Sequence, residues 1–192
     1  MKYVDAFEKY FGRVGVFTAG DARRFLAGQG ASNSYAKLLV HNLAAKGRLA
    51  RVGRGRYTLA RNEALIGFAF EPFYYGLEYA LTIRRIWTQK ANPVIITATK
   101  SVPGTRKVMG VNVTIRRIAI RMLFGYEYIS YSGMFVPVST PEKLLIDLVY
   151  YKIRLSPQEL RALLDKVNQK RLRAYLRKCP KRIKNSIDAL HP

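Results

Sequence analysis

The sequence predicts an α+β protein in two parts: an N-terminal winged helix-turn-helix, then a small mixed or antiparallel sheet with flanking and C-terminal helices. Three observations predict it. The first sixty residues read helix, helix, helix, hairpin; β-branched and alternating segments recur from Pro93 to Val138; and two proline-marked helix starts open the C-terminal region.

The first helix follows from Val4, Phe7, Tyr10, Phe11 and Val14, apolar at helical spacing until Gly12 and Gly15 interrupt the pattern. Thr18 is a suitable cap for the second, which carries Asp21, Ala22, Phe25 and Leu26 and stops at Gly28 and Gly30. A third helix begins at the Ser32-Asn33-Ser34 cluster, whose short oxygen-bearing side chains suit an N-cap, and ends at Gly47 with Ala36, Leu39, Val40 and Leu43 facing inward. Leu49 to Val52 and Arg56 to Leu59 then read as two short strands around Gly53-Arg54-Gly55.

In a winged helix-turn-helix the third helix enters the major groove and the hairpin forms the wing. Ser32, Asn33, Ser34, Tyr35, Lys37 and His41 lie off the predicted apolar face. Asn33 and Tyr35 are candidates for base or backbone contacts and Lys37 for a phosphate. Arg51, Arg54 and Arg56 concentrate guanidinium groups on the hairpin, with Arg54 at its tip, open to a minor-groove or phosphate contact.

Charge points the same way. The chain of 192 residues holds 34 Lys and Arg against 12 Asp and Glu, a formal net charge of +22, and 49% hydrophobic residues. So large an excess implies a polyanionic partner, and the apolar content excludes a disordered basic tail. Residues 1–62 carry a net +9, 63–152 a net +5 and 153–192 a net +8. Basic ends around a milder middle predict two polyanion-facing surfaces, or one assembled from both ends. The longest stretch without a charge, Tyr128 to Pro141, contains proline and hydroxyl residues and supplies no membrane span. Asp5, Glu8 and Lys9 interrupt any signal-peptide core, and Cys179 has no second cysteine to pair with, so a cytoplasmic, nucleoid-associated protein is expected.

The domain boundary is expected within residues 61–75, giving a DNA-binding domain over 1–61 and a second domain over 62–192, with its sheet core at about 75–155 and a basic helical tail at about 156–192. The aromatics Phe68, Phe70, Phe73, Tyr74, Tyr75 and Tyr79 read as core packing rather than a platform for unpaired bases. Pro93 to Thr99 and Val111 to Arg121 read as strands, with a turn at Pro103-Gly104 and a bulge at Arg116-Arg117, where the apolar phase shifts. Tyr128 to Tyr131 and Met134 to Val138 are further strands joined by Ser132-Gly133. Ser139-Thr140-Pro141-Glu142 and Ser156-Pro157-Gln158-Glu159 both read as capping boxes with proline at the first helical position. A last helix with Lys170, Arg171, Arg173, Arg177 and Lys178 runs to Pro180.

The order of motifs resembles the AbiEi family, the antitoxin-regulators of abortive-infection (type IV) toxin–antitoxin systems. The resemblance is carried by Val16-Phe17-Thr18 leading to the Ser-Asn-Ser helix, by Gly47 to Leu59, and by Tyr75-Gly76-Leu77-Glu78-Tyr79-Ala80-Leu81. It continues in the Pro-Val-Ile-Ile-Thr strand, a strand ending near Arg121, Phe124-Gly125, and Val138-Ser139-Thr140-Pro141-Glu142-Lys143-Leu144-Leu145-Ile146-Asp147-Leu148. It implies a repressor of its own promoter through the winged domain, and an antitoxin to a nucleotidyltransferase-like toxin encoded next door. Double-stranded DNA, as an operator of inverted-repeat form, and that toxin are the partners expected, with no catalytic residue, metal or cofactor.

Other classes find less support in the residues. Pro103-Gly104-Thr105-Arg106-Lys107 lacks the spacing of a phosphate-cradling loop. His41, His191 and Cys179 have no metal-ligand spacing. A nuclease would need carboxylates converging on Mg²⁺, for which Glu71, Glu78, Glu127, Glu142 and Asp147 are the candidates, although capping accounts for Glu142 and a basic partner for Asp147. The alternative of another class is an architectural DNA-binding or RNA-binding protein without sequence preference.

Overall fold

The structure, a computed structural model, describes residues 3–189. Two compact units emerge, the first ending at Phe70 and the second beginning at Glu71, with Lys107–Val111 grouped with the first.

In the first unit, α1 (Val4–Phe11), β1 (Phe17–Thr18), α2 (Ala19–Gly28), α3 (Asn33–Ala45), β2 (Ala50–Gly53) and β3 (Arg56–Thr58) follow in order. Thr18 caps α2 in a full capping box: its hydroxyl accepts from the Asp21 N–H, and the Asp21 carboxylate accepts from the Thr18 N–H at 2.7 Å. Ser32 caps α3 by accepting from the Tyr35 N–H at 3.2 Å. Ala36, Leu39, Val40 and Leu43 are buried as the periodicity predicts.

Sequence reading overlooked β1, which is too short to alternate. It pairs with β3 through Phe17↔Tyr57 and Thr18↔Arg56, completing a three-stranded antiparallel sheet in the order β1-β3-β2. Phe17 thereby anchors the wing to the aromatic core, its ring 4.1 Å from that of Phe11, which lies 4.6 Å from Phe7. Burying each such ring contributes about 1.5–3 kcal/mol.

The first unit ends at Phe70, inside the expected boundary segment 61–75 and past the limit at residue 61. Residues Glu63–Phe70 form a 3-10 helix with Ala64, Leu65 and Ile66 buried, and the Phe68 carbonyl accepts from the Arg56 guanidinium at 3.4 Å. The segment is therefore packed structure.

The second unit is built on a six-stranded mixed sheet in the order β6-β7-β5-β4-β9-β8. Its strands are β4 (Phe73–Tyr75), β5 (Val94–Thr97), β6 (Gly104–Val108), β7 (Val111–Arg117), β8 (Tyr126–Tyr131) and β9 (Met134–Ser139). The aromatic run supplies central strand β4, antiparallel to β5 through Tyr74↔Ile96 and parallel to β9 through Tyr75↔Val138. Gly104 opens a strand that the Pro103-Gly104 turn signal concealed. No bulge occurs at Arg116-Arg117: pairing with β5 is regular to Thr97↔Arg117 and the strand ends there, so the phase shift marks its end before a 3-10 turn at Ile120–Met122.

Helices α4 (Leu77–Ile83), α5 (Pro141–Tyr151), α6 (Pro157–Leu164), α7 (Gln169–Leu176) and α8 (Lys181–Asp188) complete the unit. Ser156 and Glu159 form the predicted capping box. At α5 the cap is Thr140, one residue later than read, with Lys143 at the third position, so no capping box forms and Glu142 is left to another role. Its buried carboxylate accepts from the Asn168 N–H at 2.8 Å and lies 3.7 Å from Arg171, tying α5 to the cap of α7. The expected basic tail is three helices, α6 to α8, with Pro180 between the last two, and they are not a tail: Leu163, Leu172, Leu176, Ile183 and Ile187 are buried, and all three helices contact α5.

The centre of this unit is ionic. Lys143 and Asp147, one turn apart on α5, are both fully buried and paired, and Tyr74 donates to Asp147 at 2.8 Å. Lys143 Nζ also lies 5.3 Å from the ring centroids of Tyr74 and Phe124. Burial pushes the Asp147 carboxyl above its ordinary value against the opposing pull of Lys143 and Tyr74, and burial beside Asp147 raises the Tyr74 phenol. Gly125 (φ +71°) lets the chain pass this pair, since a Cβ there would stand 2.9 Å from Lys143 Cβ and 2.8 Å from the Tyr175 ring.

Among the described residues no helix is long and apolar enough to cross a membrane. Removing one member of the buried pair strands the other charge, so Asp147→Ala is expected to destabilise the second unit by about 3–5 kcal/mol. The double change Lys143→Met with Asp147→Leu, which removes both charges, is expected to recover most of that loss in urea denaturation.

Candidate nucleic-acid interface

Helix α3 runs 13 residues from its Ser32 cap, and its buried stripe dictates which side chains face water. Asn33, Lys37 and His41 stand four residues apart on one exposed line, with Ser34 and Leu38 beside it. Leu38, which sequence reading did not single out, is 54% exposed.

Tyr35 departs from expectation. Its ring turns inward to pack on the first-unit core and meets Tyr3 edge-on at 5.4 Å, and its buried hydroxyl has no hydrogen-bond partner among the described residues. It supports the start of α3 rather than reaching outward. Tyr35→Phe, which deletes an unsatisfied hydroxyl, is accordingly expected to leave thermal stability unchanged or slightly raised. It is also expected to leave nucleic-acid affinity intact, read by melting and by a binding titration.

The wing divides its arginines between two tasks. Arg54 and Gly55 make the turn, with Gly55 at φ +66°, and Arg54 is exposed at the tip. Arg51 is exposed and donates from Nε to the Gly53 carbonyl at 3.2 Å, which steadies the hairpin across a register shift between Arg51 and Gly53. Arg56, expected to face a ligand, is half-buried and bonded to the Phe68 carbonyl; its work is to hold the 3-10 helix.

Between α3 and the wing lies a groove of about 380 Å³. Its floor is apolar, formed by Ala36, Val40, Ala44 and Tyr57, and Arg23, Lys37, His41 and Arg51 line it with nitrogen. Arg23, on α2, was missed from sequence because nothing in a linear pattern distinguishes it from Arg24, its exposed neighbour. Packing of α2 on α3 decides: Arg23 lines the groove, whereas Arg24 pairs with Asp21. The Asp21 carboxyl, bonded by the Thr18 N–H and hydroxyl and facing Arg24, is held below its ordinary value of 3.8. Among the described residues no carboxylate lines the groove.

A second basic surface lies in the other unit. Lys166, Lys170, Arg171, Arg173, Arg177, Lys178, Lys181, Arg182 and Lys184 are all exposed, and the exposed residues between them include no apolar side chain larger than alanine.

Three of the five candidate nuclease carboxylates are engaged in other roles. Asp147 is paired with Lys143, Glu142 is bound to the α7 cap and Arg171, and Glu127 meets Arg84 at 2.8 Å. Among the described residues no three of His, Cys, Asp or Glu are grouped to hold a metal ion, and His191 lies outside those residues. Cys179 donates to the Tyr175 carbonyl, and burial raises its thiol above the ordinary value.

No family model matches the chain, and no curated protein matches it in sequence.

Proposed function

We propose that the chain is a sequence-specific DNA-binding repressor that works through its first unit, without catalysis of its own, in a cytoplasmic, nucleoid-associated setting. The observation that carries the reading is the exposed line Asn33, Lys37 and His41 on α3, flanked by Arg23 and Arg51 at the groove and Arg54 at the wing tip. Polar side chains at the start of such a helix suit base edges, and cations on either side suit the bordering phosphates.

The test is binding at physiological salt to DNA from immediately upstream of the coding region against scrambled DNA of equal length. A preference of roughly a thousandfold or more is expected. Equal affinity for both overturns the reading. Arg51→Ala and Arg54→Ala are expected to weaken binding to every sequence and to lower the slope of log affinity against log salt by about one each. Asn33→Ala is expected to change the preferred site, costing about 1–3 kcal/mol at one base pair.

The motif order shared with the AbiEi family extends the proposal to an antitoxin role, in which the second unit counteracts a nucleotidyltransferase-like toxin encoded alongside. Expression of the neighbouring gene with and without this chain tests it. Relief of growth arrest that persists with the Arg54→Ala variant separates that role from repression.

The exposed cations of α7 and α8 favour a second reading, binding to nucleic acid without regard to sequence. A surface this cationic without apolar anchors suits a phosphate backbone better than a folded protein. Replacing Lys170, Arg173 and Arg177 together by alanine is expected to lower the salt slope while leaving any sequence preference unchanged.

A further inference from the structure

The six-stranded sheet has two edges of opposite character. Strand β6 is exposed from Gly104 to Lys107 and carries Arg106 and Lys107, the charged side chains with which natural sheets discourage a further strand. Strand β8, at the other edge, carries no cation and no proline. It spans six residues, Tyr126–Tyr131, and pairs with β9 in unbroken register from Tyr126↔Ser139 to Tyr131↔Met134. Among the described residues no hydrogen bond is made to its outer edge.

One face of this hairpin is aromatic and open to water. Tyr128 is 64% exposed and Phe135 67% exposed. Because Ser130 stands opposite Phe135 and Tyr128 opposite Pro137, the two rings are diagonal neighbours on the same face. Tyr126 continues the stripe inward, stacked on buried Tyr74 with centroids 5.6 Å apart.

The sequence around this edge is also exceptional in charge. Residues 122–142 contain no lysine or arginine in a chain that has 34. Glu127, the one charge on β8, is already matched by Arg84 of the same chain. An aromatic strip without cations has nothing to hold a phosphate backbone, and an open strand edge is completed by another strand.

We propose that β8 is the surface on which a second copy of this chain docks, strand to strand and antiparallel across a two-fold axis. The charge distribution selects this occupant. Two molecules of net charge +22 repel wherever cations face cations, and the β8 edge lets them meet without doing so. The strand is also self-complementary: an axis through Tyr128 sets that ring against its own counterpart and Tyr126 against the partner's Ser130, keeping the aromatic face continuous across the junction. If the first unit reads DNA as proposed above, such a dimer carries two copies of α3 related by symmetry and selects an inverted repeat.

Sedimentation equilibrium of the full chain without nucleic acid, at several salt concentrations, tests the proposal. A monomer–dimer equilibrium that tightens as salt rises is expected, since salt screens the repulsion between copies and leaves an uncharged interface intact. Tyr128→Lys and, separately, Phe135→Lys place a cation on the face twice over in the dimer. Each is expected to weaken association by roughly tenfold or more while leaving the melting temperature of the monomer unchanged. A chain that stays monomeric at every concentration and salt, a dimer indifferent to both variants, or one that loosens with salt overturns the proposal. A monomer that associates only with a foreign strand-bearing protein overturns it too. No DNA enters the measurement, so failure here leaves the DNA-binding reading standing, and an absent operator preference leaves the dimer standing.

Discussion

The shortage of carboxylates governs the rest of the structure. With 12 acidic side chains for 34 basic ones, most cations have no anionic partner within the chain and must stay in water. Among the described residues the one fully buried lysine, Lys143, meets Asp147 one turn away, with Tyr74 bonded to the same carboxylate. Breaking that arrangement leaves a bare charge in a low-dielectric interior, a larger penalty than the loss of any surface pair. The neighbouring acid, Glu142, is engaged by the α7 cap and Arg171, and Glu127 by Arg84. Carboxylates are therefore committed to holding the second unit together, and among the described residues no salt bridge engages the exposed cations of α7 and α8 other than Arg171.

Aromatic residues supply what ion pairs cannot. In the first unit Phe7, Phe11 and Phe17 join α1 to a two-residue strand, and that strand fixes the hairpin through β3. A wing held only by its own turn would fray, because an isolated hairpin is marginally stable in water. Here Phe17 and the Arg56 bond to the 3-10 helix brace it from two sides, leaving Arg51 and Arg54 to face outward. In the second unit Tyr74, Tyr75 and Tyr79 fill both faces around β4, with Tyr75 and Tyr79 centroids 5.0 Å apart and Tyr79 and Tyr131 5.9 Å apart.

Much of the candidate site was legible without coordinates. Ser32 at the cap, the outward line of Asn33, Lys37 and His41, and Arg54 at a glycine turn follow from a 3.6-residue period and from backbone preferences. Tyr35 and Arg56 misled because each is amphipathic: a ring with a hydroxyl and a long stem with a charged head can satisfy either face, and periodicity does not choose between them. Arg23 was invisible for the complementary reason, since its role depends on α2 lying against α3.

What the sequence determined by itself was local and periodic: the helices of the first unit with their caps, the Ser132-Gly133 hairpin, the strand at Val94, the Ser156 capping box and the sign and distribution of charge. These rest on interactions within a few residues, whose energies depend little on the remainder of the chain. The tertiary structure alone decided the strands β1, β4 and β6, the central position of β4, the true cap at Thr140 and the burial of Lys143 with Asp147. Short strands have no hydrogen-bonding partner within their own segment, and a buried charge persists only where distant residues close over it, so both depend on contacts that no local pattern encodes.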